Sequence, residues 1–216
     1  MNNDSQLQKS VQDELAWEPS VIAAHIGVAA KEGVVTLSGH VLTYAEKYAA
    51  EKAAGRVKGV KAVAEELEVR LPFDTKRTDE EIAAAAVERL AWDTSVPHDA
   101  VKVKVEKGWL TLTGQVDWKY QRDAAEHDLR PLSGVVGVSD QITLKPRPSA
   151  TDISADIKRA LHRSWSSYQD NVSVSATGGS VRLTGTVPTF DDKWVADDTA
   201  WRAPGVTGVE NDIAVV

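Results

Sequence analysis

The sequence predicts an α+β protein made of three tandem α-β-β-α-β modules, each a mixed three-stranded sheet with two helices on one face. Three observations carry that prediction. Leu37-Ser38-Gly39-His40-Val41 returns as Leu112-Thr113-Gly114-Gln115-Val116 and again as Leu183-Thr184-Gly185-Thr186-Val187, at offsets of 75 and 71 residues. The same offsets superimpose Gly33, Gly108 and Gly179, and then Gly59-Val60, Gly134-Val135 and Gly205-Val206. A period this long exceeds the roughly 20 to 50 residues of a solenoid unit, so each copy is expected to own a small core. The expected modules span 5–71, 77–145 and 149–216, joined by Leu71-Pro72-Phe73-Asp74-Thr75-Lys76 and by Pro146-Arg147-Pro148.

Each copy opens with apolar residues spaced by four, one stripe of an amphipathic helix: Leu7, Val11 and Leu15; Ile82, Ala86 and Leu90; Ile153, Ile157 and Leu161. Asn3, Thr78 and Ser149 share one repeat position just upstream, with Gln6, Glu81 or Asp152 three residues later, the spacing of a capping box. Alternation follows, clearest in Val101-Lys102-Val103-Lys104-Val105 and matched by Ile26, Val28 and Ala30 and by Val172, Val174 and Ala176. A period of two means a strand with one buried face. Past the turn glycine a second alternation places Val35 and Leu37, Leu110 and Leu112, and Val181 and Leu183 on the same side, completing a hairpin.

Gly39, Gly114 and Gly185 end that alternation where backbone freedom or a close approach by a helix is expected. A second helix then begins, with Thr43 and Glu46, and Thr189 and Asp192, in capping positions, and with Ala49, Ala53 and Val57 and their equivalents as a small-residue packing stripe. Gly59, Gly134 and Gly205 stand where a left-handed residue would close that helix. A third strand follows: Val63, Leu67 and Val69; Val138, Ile142 and Leu144; Val209, Ile213 and Val215. Reached through a crossover helix, it should run parallel to the strand before it, with the far face of the sheet open.

Composition bounds the function. The 216 residues are 42% hydrophobic and 26% charged, the profile of an ordinary globular chain, and each module is small enough to be marginal alone. Basic and acidic residues number 8 and 10 in 1–72, 11 and 13 in 73–148, and 6 and 9 in 149–216. No module is basic, which argues against a nucleic-acid partner. Cysteine is absent, removing disulfides and thiolate chemistry. The N-terminal residues carry no secretory signal pattern and no run approaches a membrane span, so the expected location is the cytoplasm, with peripheral membrane contact and the periplasm as alternatives.

No motif carries catalysis. His25, His40, His98, His127 and His162 occupy different repeat positions and lack metal-ligand spacing, so no metal or cofactor is expected. Ser164, Ser166 and Ser167 near His162 form no nucleophile elbow, and the glycines form no phosphate loop. Paired acids such as Glu65-Glu66 and Asp197-Asp198 belong to solvated faces.

The seven tryptophans separate into groups. Trp17 and Trp92 align at the end of the first helix, with Trp165 two positions past it in the third copy, and are expected to complete cores or inter-module contacts. Trp194 and Trp201 lie seven apart on one helical face suited to a neighbouring module, with a partner surface as the alternative. Trp109 aligns with Val34 and Ser180 on the open sheet face, and Trp118 takes the helix-start position of Thr43 and Thr189. Beside Trp109, the outward Lys102 and Lys104 with Lys107 at the turn give the middle module a cationic, aromatic-tipped face. Two readings of that face stand: strand lysines that discourage edge pairing with Trp109 covering a neighbour, or contact with an anionic membrane. Trp109 and Trp118, nine residues apart along a strand or ~30 Å, need not share a site.

The turn glycine, the Leu-[Ser/Thr]-Gly-x-Val stretch and the Gly-Val after helix two resemble the BON domain, named for bacterial osmotically inducible and nodulation proteins. The resemblance covers residues 5 to 216 in three copies. It implies noncatalytic modules associated with phospholipid membranes, the envelope or osmotic stress, and in some relatives chaperone-like or partner-binding roles. The expected function is therefore a phospholipid- or envelope-associated binding protein of the stress response, whose linked weak sites gain effective concentration. The alternative is a protein-interaction scaffold or holdase that binds protein clients.

Overall fold

A computed structural model describes residues 3–145, 152–164 and 171–216. Module 1 comprises α1 (Asn3–Trp17), β1 (Ile26–Lys31), β2 (Val34–Val41), α2 (Tyr44–Arg56) and β3 (Ala62–Val69). Module 2 repeats the order as α3 (Asp79–Trp92), β4 (Val101–Glu106), β5 (Trp109–Val116), α4 (Lys119–Leu129) and β6 (Gly137–Leu144). Module 3 follows with α5 (Ile153–Ser164), β7 (Val172–Thr177), β8 (Ser180–Val187), α6 (Phe190–Trp201) and β9 (Gly208–Val215).

In every module the middle strand is the second, paired antiparallel to the first and parallel to the third. Lys31 pairs with Val34 and Glu106 with Trp109, leaving two-residue turns. Both turn residues have positive φ: Glu32 and Gly33, Lys107 and Gly108, Gly178 and Gly179. That is the type I′ geometry whose twist matches flanking strands, and it explains the turn glycine. Asp4 in α1 and Asp79 in α3 share a repeat position and tie these turns to the first helix. Asp4 Oδ1 accepts from the Glu32 amide at 2.9 Å, and the Asp79 carboxylate accepts from the Lys107 and Gly108 amides, each at 2.8 Å.

Gly39, Gly114 and Gly185 adopt φ of +115°, +138° and +132°. A Cβ there would collide with the carbonyl oxygens of His25, Ala100 and Asn171. The close approach comes from the chain entering the first strand, not from a helix. The exit glycines Gly59, Gly134 and Gly205 are also left-handed, but the helices have already ended at Arg56, Leu129 and Trp201, so they shape the turn into the third strand.

The capping threonines act as expected. Thr78 and Glu81 form a reciprocal box, and Thr43 and Thr189 accept from the amides of Glu46 and Asp192. Trp118, with no acceptor, leaves its amide and that of Asp117 to the Gln121 side chain. Asp152, expected as the third residue of the helix, is instead its cap: α5 begins at Ile153, and Asp152 Oδ1 accepts from the Ala155 amide. The Asn3 side chain, Ser149, Pro146-Arg147-Pro148, Trp165, Ser166 and Ser167 lie outside what is described.

Each module has its own core on the helical face of its sheet. Val35 and Leu37, Leu110 and Leu112, and Val181 and Leu183 are fully buried beneath the first-helix stripe. On α2 the buried alanines are Ala50, Ala53 and Ala54, beside Glu46 and Gly55, while Ala49 and Val57 are only partly buried. A period of 3.6 centres the stripe between two spacings of four, which moves it by one position. Among the described residues no helix is long and apolar enough to cross a membrane.

Candidate functional site

Of the candidate surface residues of the middle module, Lys102, Lys104, Lys107, Trp109 and Trp118, the register collects Lys102, Lys104 and Trp109 on one face, with Lys107 at its turn. Val101, Val103 and Val105 face the helices, so Lys102, Lys104 and Glu106 point the other way. Trp109, Thr111 and Thr113 lie opposite them on β5, and Gly137, Ser139 and Gln141 continue the same face on β6. The Trp109 ring lies across Gly137, where any Cβ would strike it, and remains 49% exposed. It covers its own sheet rather than a neighbouring module. Lys104 Nζ is 3.0 Å from Glu106 Oε2, an exposed pair that contributes little to stability. Lys107 adds a third cation at the turn.

The other open faces carry different charges. In module 1 that face presents Lys31, Glu66 and Glu68, with the apolar Val34 at the place of Trp109. In module 3 its cation, Arg182, is held by Asp212 at 2.7 Å and Glu210 at 3.4 Å. Among the described faces, only that of module 2 is net positive.

Trp118 lies elsewhere, in a junction where the second helices of all three modules meet. Trp194 of α6 seats its ring against Gly55 of α2, where a Cβ would fall 2.7 Å away, and Lys52 Nζ stands 3.4 Å from the centroid of that ring. Arg130 stacks on Tyr48 at 3.6 Å, joining modules 2 and 1. Arg122 lies 5.1 Å from the Trp201 ring, and Lys119 Nζ lies 3.4 Å from Asp198 Oδ1, joining modules 2 and 3. Tyr44 of α2 packs against the core of module 2. Trp194 and Trp201 thus meet neighbouring modules, the first of their two expected roles.

A cleft of about 750 Å³ remains at this junction, lined in part by Tyr48, Trp118, Lys119, Arg130, Asp198 and Trp201. Its charges are matched from within: Lys119 to Asp123 and Asp198, Arg130 to Glu126, Arg202 to Asp198. Burial pushes the Glu51 and Asp197 carboxyls up and the Lys52 ammonium down. The alternation that exposed the sheet face gave no sign of this junction. Its sequence signal is the face of the second helix that the repeats do not share: Tyr44, Tyr48 and Lys52; Lys119, Asp123 and His127; Phe190, Trp194 and Asp198.

Trp17 and Trp92 do not fill cores or interfaces, being 83% and 78% exposed. Each stands two residues beyond the last buried residue of its helix, Leu15 or Leu90, and two residues turn a helix by about 200°. The expectation followed the size of the side chain and overlooked that rotation. His25 and His40 stack at 4.6 Å between centroids, and among the described residues no three potential ligands gather into a metal site.

The BON domain family model matches residues 3–70, 78–146 and 149–216. The chain is 32% identical over 152 residues to osmotically-inducible protein Y of Escherichia coli (strain K12), covering 66% of this chain and 73% of that protein. Among solved structures, the C-terminal domain of CdsD, a structural protein of the type III secretion system of Chlamydia trachomatis, aligns at 16% identity over 97% of each chain with a TM-score of 0.28. That superposition is too loose to equate the two architectures.

Proposed function

Because the chain belongs to the BON domain family, as three consecutive members of it, we propose that it is a noncatalytic binding protein that docks on anionic phospholipid of the cell envelope during osmotic or general stress. The likeness to an osmotically inducible protein supports the physiological setting. The observation that carries the lipid reading is the side-by-side exposure of Lys102, Lys104 and Trp109 on the open face of the middle module, with Lys107 at its rim. Lysine near an anionic surface contributes about 1 kcal/mol, and tryptophan favours the headgroup layer. Three such lysines make a weak site that salt screens. Because the faces of modules 1 and 3 carry excess acid, they add nothing to that attraction, and one face does the binding.

The test is co-sedimentation with vesicles of anionic and of neutral lipid at low and high salt, with Lys102→Glu/Lys104→Glu beside the wild type. Binding confined to anionic vesicles, weakened by salt and lost in the double variant, is the expected result. Binding to neither vesicle overturns the lipid reading and leaves protein clients as the partner.

A further inference from the structure

The three modules can be compared at one place, the groove between the first and second helix, where each carries arginine. In module 1, Arg56 of α2 is clamped by two carboxylates, Glu14 of α1 at 3.0 Å and Glu18, one residue past its end, at 2.9 Å. Arg56 holds the Glu18 carboxyl below the usual carboxylate range. In module 2 the polarity is reversed, and Arg89 of α3 donates to the buried Asp128 of α4 at 3.1 Å. Both modules fill the groove with their own anion.

Module 3 keeps the cation and lacks the counterparts of Glu14, Glu18 and Asp128. Arg202 stands at the repeat position of Arg56. The positions of Glu14 and Glu18 are taken by Ala160 and Ser164, and that of Asp128 by Thr199. Asp13 and Trp17 of α1 correspond to Arg159 and Arg163, so the first-helix face that is acidic in module 1 is basic in module 3. The space is open: a cleft of about 450 Å³ lies between α5 and α6, bordered by Asp156, Arg159, Ala160, Arg163, Thr199 and Arg202. Arg159 pairs with Asp156 one turn away and Arg202 with Asp198 on its own helix, whereas Arg163 has no ion pair among the described residues.

We infer that this cleft is a binding site for an oxyanion, a phosphate or carboxylate group supplied from outside the chain, which occupies the place that Glu14 and Glu18 occupy in module 1. Guanidinium forks suit both groups, because two parallel N–H donors match two oxygens of either. The site is separate from the lysine face of module 2 and does not depend on the lipid reading.

The experiment is an NMR titration of the full chain, following the arginine Nε–Hε resonances with inorganic phosphate, with succinate and with a short-chain soluble phosphatidylglycerol. A saturable shift of Arg163 and Arg202 is expected. Saturation by phosphate or succinate assigns a free anion, and saturation by the lipid alone assigns a headgroup. Two variants bear on the geometry. Arg163→Ala should weaken binding at least tenfold, and Ala160→Glu, which restores the acid of module 1 while keeping every arginine, should abolish the shift and leave the fold intact. Linear shifts without saturation for all three probes, or wild-type binding by Ala160→Glu, overturn the proposal.

Discussion

The two faces of the three sheets follow opposite rules. On the helical face the modules bury nearly interchangeable residues, such as Leu37, Leu112 and Leu183. Beyond that shared interior their second helices meet through side chains that do not repeat, with Tyr48, Asp123 and Trp194 at one equivalent position. On the open face, the buried Gly137 beneath Trp109 apart, the described residues stay exposed or half-buried, and they again diverge, from acidic in module 1 to cationic in module 2. Repetition therefore marks what holds a module together, and divergence marks what each module meets.

The sharpest way to break the first half of this comparison is Gly114→Ala. The backbone at φ +138° and the carbonyl of Ala100 leave no room for a methyl group. A loss of about 2–4 kcal/mol is expected in urea unfolding, as for other strained positions compounded by a clash. A loss under about 1 kcal/mol would mean that the shared geometry is not a requirement.

Trp194→Ala tests the junction. The ring fills the space that Gly55 vacates and receives Lys52 on its face. Its removal should cost about 1–3 kcal/mol. Hydrogen exchange should rise in α2 and α6 while the β5 core of module 2 keeps its protection. A uniform rise across all nine strands would place the residue in a single cooperative core rather than at a contact between modules.

The module interior was legible in the sequence because it depends on local spacing. Val101 to Val105 can alternate in only one way against a helix, and the threonines at 43, 78 and 189 cap whatever helix follows them. The open face was legible for the same reason, since Lys102 and Lys104 must point away from the valines. The junction was legible from one side only: the spacing of Trp194 and Trp201 marked a helical face for a neighbouring module, but not what they meet there, because Gly55 meets Trp194 across 139 positions of sequence and no local period encodes such a pairing. Trp17 and Trp92 misled through residue type, and counting the helical rotation from Leu15 and Leu90 corrects them.

The junction also carries a response to pH, of the same sign as that of Asp128 and Asp140 in module 2. Glu51 and Asp197 have folded pKa values raised by burial, so the folded state holds more protons than the unfolded one through the carboxylate range. Their contribution to stability is fullest below the unfolded value, about 4, and is lost as pH rises through the raised folded value. Glu18, lowered first by its hydrogen bond to Arg56, acts oppositely: its contribution is present above the unfolded value and lost as pH falls. Lowering the pH from neutrality toward the carboxylate range should therefore raise the protection factors of α6, exchange being corrected for its intrinsic pH dependence, before further acid lowers those of α1. Asp197→Asn should flatten the α6 response and leave that of α1 unchanged. If both helices loosen together from pH 7 downward, the buried acids do not govern the junction.

The smallest effect on stability is expected where the largest effect on binding is proposed. Lys102 and Lys104 are exposed, and the ion pair of Lys104 with Glu106 is a surface pair. Lys102→Glu/Lys104→Glu should shift the unfolding free energy by no more than about 0.5 kcal/mol, although it changes the charge of the face by four units. A surface kept open for a partner should respond in this way, because its residues were never part of the packing. If the double variant instead costs as much as Trp194→Ala, the lysines contribute to packing within the molecule. The open face of module 2 would then be an interior contact, and the contrast between the two sides of the sheet would not hold for this module.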